Sequence, residues 1–93
     1  MDVVWTKGAL QDLAEIQDYI ALESPLTAFR FTNDLKARTD ILRDFPSMGR
    51  PGRVAGTREL IVSKTDYIVA YRVSARVEIL AFINAAKEWP EFF

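Results

Sequence analysis

The sequence has 93 residues, of which 49% are hydrophobic and 27% are charged, and its formal net charge is -1. This balance is typical of one compact domain over residues 1–93, and it excludes a disordered or collagenous chain. The chain has no cysteine and no histidine, which excludes disulfides, thiolate sites and Ser-His catalysis, so we expect no metal and no cofactor. No long apolar run or signal-like amino terminus is present, so the default expectation is a cytoplasmic location without a membrane.

The charge is unevenly distributed along the chain. Lys and Arg number five against eight Asp and Glu over residues 1–49, six against two over 50–77, and one against three over 78–93. The three segments therefore carry -3, +4 and -2, which sum to -1. A basic segment within an acidic protein predicts a local anionic partner and argues against a surface that coats nucleic acid in general. We expect no direct, sequence-specific DNA binding by this chain.

The first predicted elements are a short strand at DVVW (residues 2–5) and an amphipathic helix. Thr6 is a candidate N-cap of this helix. Apolar residues at helical spacing predict its buried face: Ala9, Leu13, Ile16 and Ile20. The acidic residues Asp12, Glu15 and Asp18 are predicted to point to solvent.

A second helix is predicted to follow Ser24, with Pro25 in its first turn, where the missing N–H is not needed. Its predicted apolar face comprises Ala28, Phe31, Leu35, Leu42 and Phe45. The next segment, FPSMGRPGRVAG (45–56), is rich in proline and glycine and predicts a long loop. The two helices are therefore expected to form a hairpin.

Three runs with alternating apolar residues complete the chain: TRELIVS (57–63), YIVAYRV (67–73) and VEILAFI (77–83). The short connections KTD and SAR predict antiparallel hairpins between them. The second run is predicted to place Tyr67, Val69, Tyr71 and Val73 on one face. The third run is predicted to place Val77, Ile79, Ala81 and Ile83 on one face.

Both faces of the last two strands are largely apolar, so we expect one face to pack on the helices and the other to await a cover. The predicted order is β-α-α-β-β-β. It indicates an α+β fold with a helical hairpin packed on a small, mainly antiparallel sheet.

This order and several local motifs resemble the RelE/ParE superfamily of toxins from type II toxin-antitoxin systems. The motifs are ALQDLAEIQDYIALESP (9–25), FPSMGRPGRVAGTREL (45–60), YIVAYRV, VEILAFI and the closing WP (89–90). The resemblance spans nearly the whole chain and is closer to the ParE branch. It implies the fold just predicted and a cognate, ParD-like antitoxin that wraps the toxin in a hetero-oligomeric complex.

The resemblance also implies one of two activities, inhibition of DNA gyrase without hydrolysis or ribosome-dependent cleavage of mRNA. Many relatives carry a histidine and a basic pair after the last strand, whereas this chain has NAAK at residues 84–87 and no tyrosine after Tyr71. These departures favour gyrase inhibition, which needs no catalytic residue. In the ribonuclease alternative, Arg58, Arg72 and Lys87 would stabilise a phosphate. A third alternative is a non-toxic binding module on the same fold.

Ten residues are candidate contacts with antitoxin or target: Arg50, Arg53, Arg58, Tyr67, Tyr71, Arg72, Lys87, Trp89, Phe92 and Phe93. The alternative for the loop arginines is a solvated surface, and for Arg58 an internal ion pair. The two tyrosines share a strand face, which favours packing, and Arg72 needs either an internal carboxylate or a ligand.

Trp89 is predicted to close the core, whereas Phe92 and Phe93 either join it or form an exposed tail. We expect the loop arginines to meet an acidic antitoxin segment that becomes ordered on binding.

Overall fold

The computed structural model describes residues 1–86, 89, 90 and 93. Its elements are β1 (Val3–Trp5), α1 (Lys7–Ala21), α2 (Pro25–Asp40), β2 (Arg50–Pro51), β3 (Arg58–Ile61), β4 (Tyr67–Val73) and β5 (Val77–Asn84). A short 3-10 turn, Ile41–Arg43, continues α2. The predicted β-α-α-β-β-β order is confirmed, with β2 as an additional short strand inside the predicted loop.

The strands form one sheet in the order β1-β5-β4-β3-β2. β1 is parallel to β5, and the other neighbouring pairs are antiparallel, so the mainly antiparallel sheet is confirmed. In the short pair, Arg50 lies opposite Glu59 and Pro51 lies opposite Arg58. A two-residue edge strand that contains proline has no alternating pattern, which is why β2 was not predicted.

Both helices begin at the predicted caps. The Oγ1 atom of Thr6 accepts a hydrogen bond from the Ala9 N–H at 3.2 Å, and the Oγ atom of Ser24 accepts one from the Thr27 N–H at 3.2 Å. Pro25 is the first residue of α2, where its missing N–H leaves no broken hydrogen bond. The two helices pack against each other and α1 packs on the sheet.

The core lies between the helices and one face of the sheet, and its central buried residues are Ala9, Leu13, Ile16, Leu35, Leu42, Val62, Val69, Tyr71, Val77, Ile79 and Phe82. The prediction that Phe45 belongs to this core was wrong, because its side chain is 60% exposed. α2 ends at Asp40, and Pro46 follows shortly after the 3-10 turn. The helical spacing therefore does not continue as far as Phe45.

A β-bulge divides β5 into two parts. Ala70 lies opposite Ala81 while Tyr71 lies opposite Ile79, so Leu80 is an extra residue on β5. An extra residue reverses the face on which the following side chains lie. Ile79 and Phe82 consequently both join the core, and the prediction that Val77, Ile79, Ala81 and Ile83 share one face was wrong.

The second face of the sheet is already covered at its centre. Ile68, Ala70 and Ala81 are 5%, 0% and 7% exposed, although the register places them on the face opposite Tyr71. The prediction that this whole face awaits a partner was therefore wrong at these positions. In the described part of the chain, no helix is both long and apolar enough to cross a membrane.

Candidate functional site

The basic loop (residues 49–58) is held by a buried carboxylate on β3. The Glu59 side chain is 3% exposed, and its Oε1 accepts hydrogen bonds from Arg50 Nε at 3.1 Å and Nη2 at 2.9 Å. Its Oε2 accepts hydrogen bonds from the Arg53 N–H at 2.8 Å and from Arg53 Nε at 3.3 Å. Arg50 and Arg53 thus share an internal counter-ion, while their own side chains remain 49% and 48% exposed.

These contacts determine the pKa of the Glu59 carboxyl group. Burial by itself would raise the pKa of this carboxyl, but hydrogen bonds from the Arg53 N–H and from the guanidinium groups of Arg50 and Arg53 outweigh burial. The pKa of Glu59 is therefore lower than its ordinary value. The carboxylate stays charged at neutral pH and neutralises part of the loop.

Arg58 and Tyr71 hold the start of the same loop. They lie opposite each other in the β3–β4 register. Arg58 Nη1 donates to the Gly49 carbonyl at 2.7 Å. The Tyr71 hydroxyl donates to the Pro46 carbonyl and accepts the Gly49 N–H, both at 2.8 Å. Both side chains are thus bound to the backbone of residues 46–49, where the basic loop begins.

The loop approaches Tyr71 so closely that any side chain at residue 49 would force its neighbours to move. A Cβ atom on Gly49 would lie 2.6 Å from the Tyr71 hydroxyl oxygen and 2.9 Å from the Glu59 carbonyl oxygen. Burial raises the pKa of Tyr71, while the Gly49 N–H and Arg58 oppose that shift. Tyr71 consequently remains a neutral donor and acceptor that fixes the loop.

Trp89 contacts the basic loop through Arg53. The Arg53 guanidinium carbon lies 3.7 Å from the centroid of a Trp89 ring, within the range of a cation–π interaction. The indole Nε1 is buried and has no hydrogen-bond acceptor among the described residues. The closing of the core by Trp89 stays a prediction, and the contact that the structure describes is with Arg53 of the basic loop.

Arg58 and Arg72 lie on opposite faces of the sheet. Arg58 shares the face of Tyr71, and Arg72 is the next residue along β4 and so points to the other side. Arg72 is partly buried, with Glu78 opposite it on β5. Lys87 and Phe92 lie outside the described residues. The described chain thus does not bring Arg58 and Arg72 together at one phosphate position.

A second candidate site, the acidic cleft, lies between α1 and the ends of β4 and β5. Its volume is about 640 Å³. Its lining includes Asp12, Glu15 and Tyr19 from α1, Tyr67 and Asn84 from the sheet, and Phe93 near the carboxyl terminus. Tyr67 also packs edge-on against Phe31, with ring centroids 5.9 Å apart. The cleft therefore combines carboxylates with aromatic walls.

Asp12 connects this cleft to the sheet. Its Oδ2 accepts a hydrogen bond from the Phe82 N–H at 3.0 Å. Burial raises the pKa of Asp12, the Phe82 N–H opposes the shift, and the nearby charge of Glu15 adds to it. The prediction that Asp12 simply points to solvent was wrong, because the helix places it over the exposed edge of β5.

Burial also raises the pKa of Tyr67, and the charge of Asp66 adds to this shift. No group of three or more Asp and Glu side chains suited to hold a metal ion occurs among the residues that the structure describes.

Sequence reasoning missed the role of Glu59. A signal was present, because residues 50–77 contain only two carboxylates among six basic residues, and Glu59 alternates with Arg58 and Leu60 on β3. A lone carboxylate on a sheet face, next to a basic loop, is a strong candidate for an internal ion pair. The role of Asp12 had no such signal, because it depends on where β1 ends.

Comparison with known proteins agrees with this architecture. The family model described as "ParE toxin of type II toxin-antitoxin system, parDE" matches residues 3–89. Y4kP of Sinorhizobium fredii is 41% identical over 87 residues, which cover 94% of this chain and 91% of that protein. Toxin RelE2 of Caulobacter vibrioides is 41% identical over 85 residues, which cover 91% of this chain and 96% of that protein.

A solved structure is similar as well. A chain of the chromosomal ParDE TA system from P. aeruginosa superposes with a TM-score of 0.82 at 28% identity, covering 90% of this chain and 95% of that chain. The family match extends over nearly the whole sequence, and the fold agrees with it. The chain therefore belongs to the ParE toxin family of type II toxin-antitoxin systems.

Proposed function

We propose that this toxin inhibits DNA gyrase by binding to it, without cleaving nucleic acid, and that a ParD-like antitoxin neutralises it. The observation that carries the proposal is the placement of Arg58 and Arg72 on opposite faces of the sheet. Membership of the ParE family supports the same choice.

Cleavage of a phosphodiester requires several charged groups within hydrogen-bond distance of one phosphate. Arg58 Nη1 instead donates to the Gly49 carbonyl at 2.7 Å, so its charge is directed at the loop. Arg72 faces the other side of the sheet. This arrangement favours a toxin that acts through a binding surface.

An exposed apolar patch beside the basic loop is suited to such binding. It comprises Ile41, Phe45, Met48 and Ile61, which are 43%, 60%, 53% and 56% exposed. Three of them, Ile41, Met48 and Ile61, also line a shallow cleft of about 290 Å³. Adjacent apolar side chains with this exposure are typical of an interaction surface. We assign gyrase to this patch and expect the bound antitoxin to block it.

A supercoiling assay with purified gyrase tests the proposal. We expect inhibition by the free toxin and its reversal by the antitoxin. Phe45→Ser should weaken inhibition about tenfold, because a large apolar side chain is removed from the contact. Leu22→Ser is the matched control, since Leu22 is 83% exposed and lies outside the patch. Unchanged supercoiling at a molar excess of toxin would rule out gyrase as the target.

Ribosome-dependent mRNA cleavage is the second candidate function, because the resemblance to the RelE/ParE superfamily also implies it and a similar protein carries the name toxin RelE2. Ribosome-bound message should stay intact with the free toxin if the proposal is right. If the free toxin cleaves the message, and if Arg58→Ala and Arg72→Ala each abolish that cleavage, the two arginines form a phosphate site instead. Normal growth of cells that express the toxin alone would favour the non-toxic binding module.

A further inference from the structure

Along one edge of β5, the last residues have no neighbouring strand in the described part of the chain. β1 ends at Trp5, opposite Ile79, whereas β5 continues to Asn84. Over the residues that the structure describes, no strand pairs with this edge of β5 from Phe82 to Asn84. The acidic cleft lies beside this part of the edge, and its lining includes Phe82 and Asn84.

The direction of the backbone groups shows that this edge can form hydrogen bonds. The Ala85 N–H bonds to the Asp66 carbonyl at 2.8 Å, toward β4. Successive residues of a strand direct their amide groups to opposite edges. The amide groups of Phe82 and Asn84 therefore point away from β4, and the Phe82 N–H does so by bonding to Asp12. The backbone of Asn84 could therefore form hydrogen bonds with an added strand on this edge.

The side chains around the edge are suited to a cation. Asp12 and Glu15 lie one helical turn apart on α1, and none of the described residues that line the cleft is basic. The ring of Tyr67 forms an aromatic wall, and such rings attract a guanidinium or ammonium group. The volume of about 640 Å³ falls within the range of roughly 300–1,000 Å³ that ligand pockets usually have.

We propose that the acidic cleft binds an extended segment of the antitoxin, which pairs with β5 beside Asn84 and places an arginine or lysine beside Asp12 and Glu15. The open strand edge selects an extended backbone, and the two carboxylates select a basic side chain. The proposal rests on the pairing of this toxin with an antitoxin, and it is independent of the gyrase target.

A peptide titration tests the chemistry of the cleft in the full-length toxin. The probe is acetyl-Val-Arg-Val-Arg-Val-amide, and its charge-reversed partner is acetyl-Val-Glu-Val-Glu-Val-amide. We expect the arginine peptide to bind and to shift the NMR amide signals of Phe82 and Asn84, and the glutamate peptide not to bind. No binding of the arginine peptide, or equal binding of both peptides, would overturn the proposal.

Two substitutions and a matched control test whether Asp12 and Glu15 bind the arginine side chains of the peptide. Glu15→Gln alters an exposed helical residue, and Asp12→Asn retains an oxygen that can accept the Phe82 N–H. Each should weaken binding of the arginine peptide about fivefold, the effect expected for a close charge pair. Asp18→Asn, on the same helix but outside the cleft lining, should bind as the wild type does. Equal affinity of the wild type and Glu15→Gln would overturn the proposal.

Competition identifies the occupant. The antitoxin that neutralises the toxin in co-expression should displace the arginine peptide at stoichiometric concentration. If the antitoxin binds while the peptide stays in place, the occupant is another partner and the proposal is overturned. The supercoiling assay is a separate measurement, so a toxin that fails to inhibit gyrase can still give a clear result here.

Discussion

At the β2–β3 edge of the sheet, Glu59 binds the guanidinium groups of Arg50 and Arg53. At the β5 edge, the carboxylates of Asp12 and Glu15 line a cleft in which no described residue is basic. In the first region, the single carboxylate of Glu59 is shared by two arginines and neutralises one of their two charges. In the proposed complex, a basic residue of the antitoxin would neutralise the second region.

The difference shows that a count of charges along a sequence does not locate the charge that a partner encounters. Residues 50–77 carry a formal charge of +4, from six basic and two acidic residues. One of those two carboxylates is buried among the loop arginines. The expectation that an acidic antitoxin segment meets this loop remains a proposal, but such a segment would have to compete with Glu59.

The largest difference in stability between the two regions is expected when one glutamate in each region is replaced by glutamine. Glu59→Gln removes the counter-ion of Arg50 and Arg53, and we expect the free energy of unfolding to fall by about 2–3 kcal/mol. Glu15→Gln should change it little, because Glu15 is exposed on α1. Urea denaturation followed by circular dichroism measures both. Equal stability of the two variants would mean that the ion pairs of Glu59 do not hold the loop.

A smaller effect is expected from the glycine that approaches Tyr71. Gly49→Ala would place a methyl group 2.6 Å from the Tyr71 hydroxyl oxygen, and overpacking of this kind costs about 2 kcal/mol. Gly8→Ala is the control near the β5 edge of the sheet. Its Cβ would be 3.6 Å from the nearest atom, the Leu80 carbonyl oxygen, which is an ordinary contact distance. Melting temperatures compare the two variants. A Gly49→Ala protein as stable as Gly8→Ala would contradict the close approach.

Removal of the Tyr71 hydroxyl group should destabilise the protein more than removal of the Tyr67 hydroxyl group. Tyr71→Phe removes two hydrogen bonds to the loop backbone, both 2.8 Å long, so the free energy of unfolding should fall by about 1–2 kcal/mol. Tyr67→Phe, in the wall of the acidic cleft, should change it by less than about 0.5 kcal/mol. Urea denaturation of both variants provides the test. A larger loss in Tyr67→Phe would reverse the assignment of Tyr71 as the loop anchor.

The smallest effects should appear in the pH dependence of stability, with opposite signs in the two regions. The pKa of Glu59 lies below its ordinary 4.5, so its stabilising contribution is present above pH 4.5 and is lost as the pH falls through the lowered value. The pKa of Asp12 lies above its ordinary 3.8, so the folded state binds its proton first and stability falls as the pH rises through this window.

Urea denaturation of Glu59→Gln and Asp12→Asn between pH 3 and 7 separates these contributions. The difference in unfolding free energy between wild type and Glu59→Gln should grow with pH, and the difference between wild type and Asp12→Asn should shrink. Parallel profiles would contradict the shifts in pKa.

Local signals were sufficient to predict most of the fold. Thr6, Ser24 and Pro25 specify the helix starts through their own hydrogen-bonding groups or ring, and the hairpins are specified by short connections. The β-bulge was not predictable in this way, because Leu80 is apolar like its neighbours. Only pairing with β4 shows that it is the extra residue.

The candidate sites were harder to predict because they depend on contacts between distant segments. The Arg50 and Arg53 side chains were identified as special, but their partner Glu59 becomes evident only when β2 pairs with β3. Asp12 and Phe82 are 70 residues apart in sequence. Their contact requires β1 to be shorter than β5, and strand ends are poorly specified by an alternating pattern.

The extra residue at Leu80 also limits how this strand can vary. Upstream of it β5 is aligned by β1, and downstream of it Phe82 must face the helices while its N–H reaches Asp12. A one-residue deletion between these points would turn Phe82 outward and withdraw its amide from α1. Sequence length between Ile79 and Phe82 is thus under tighter constraint than side-chain identity at Leu80, which can change as long as the residue is present.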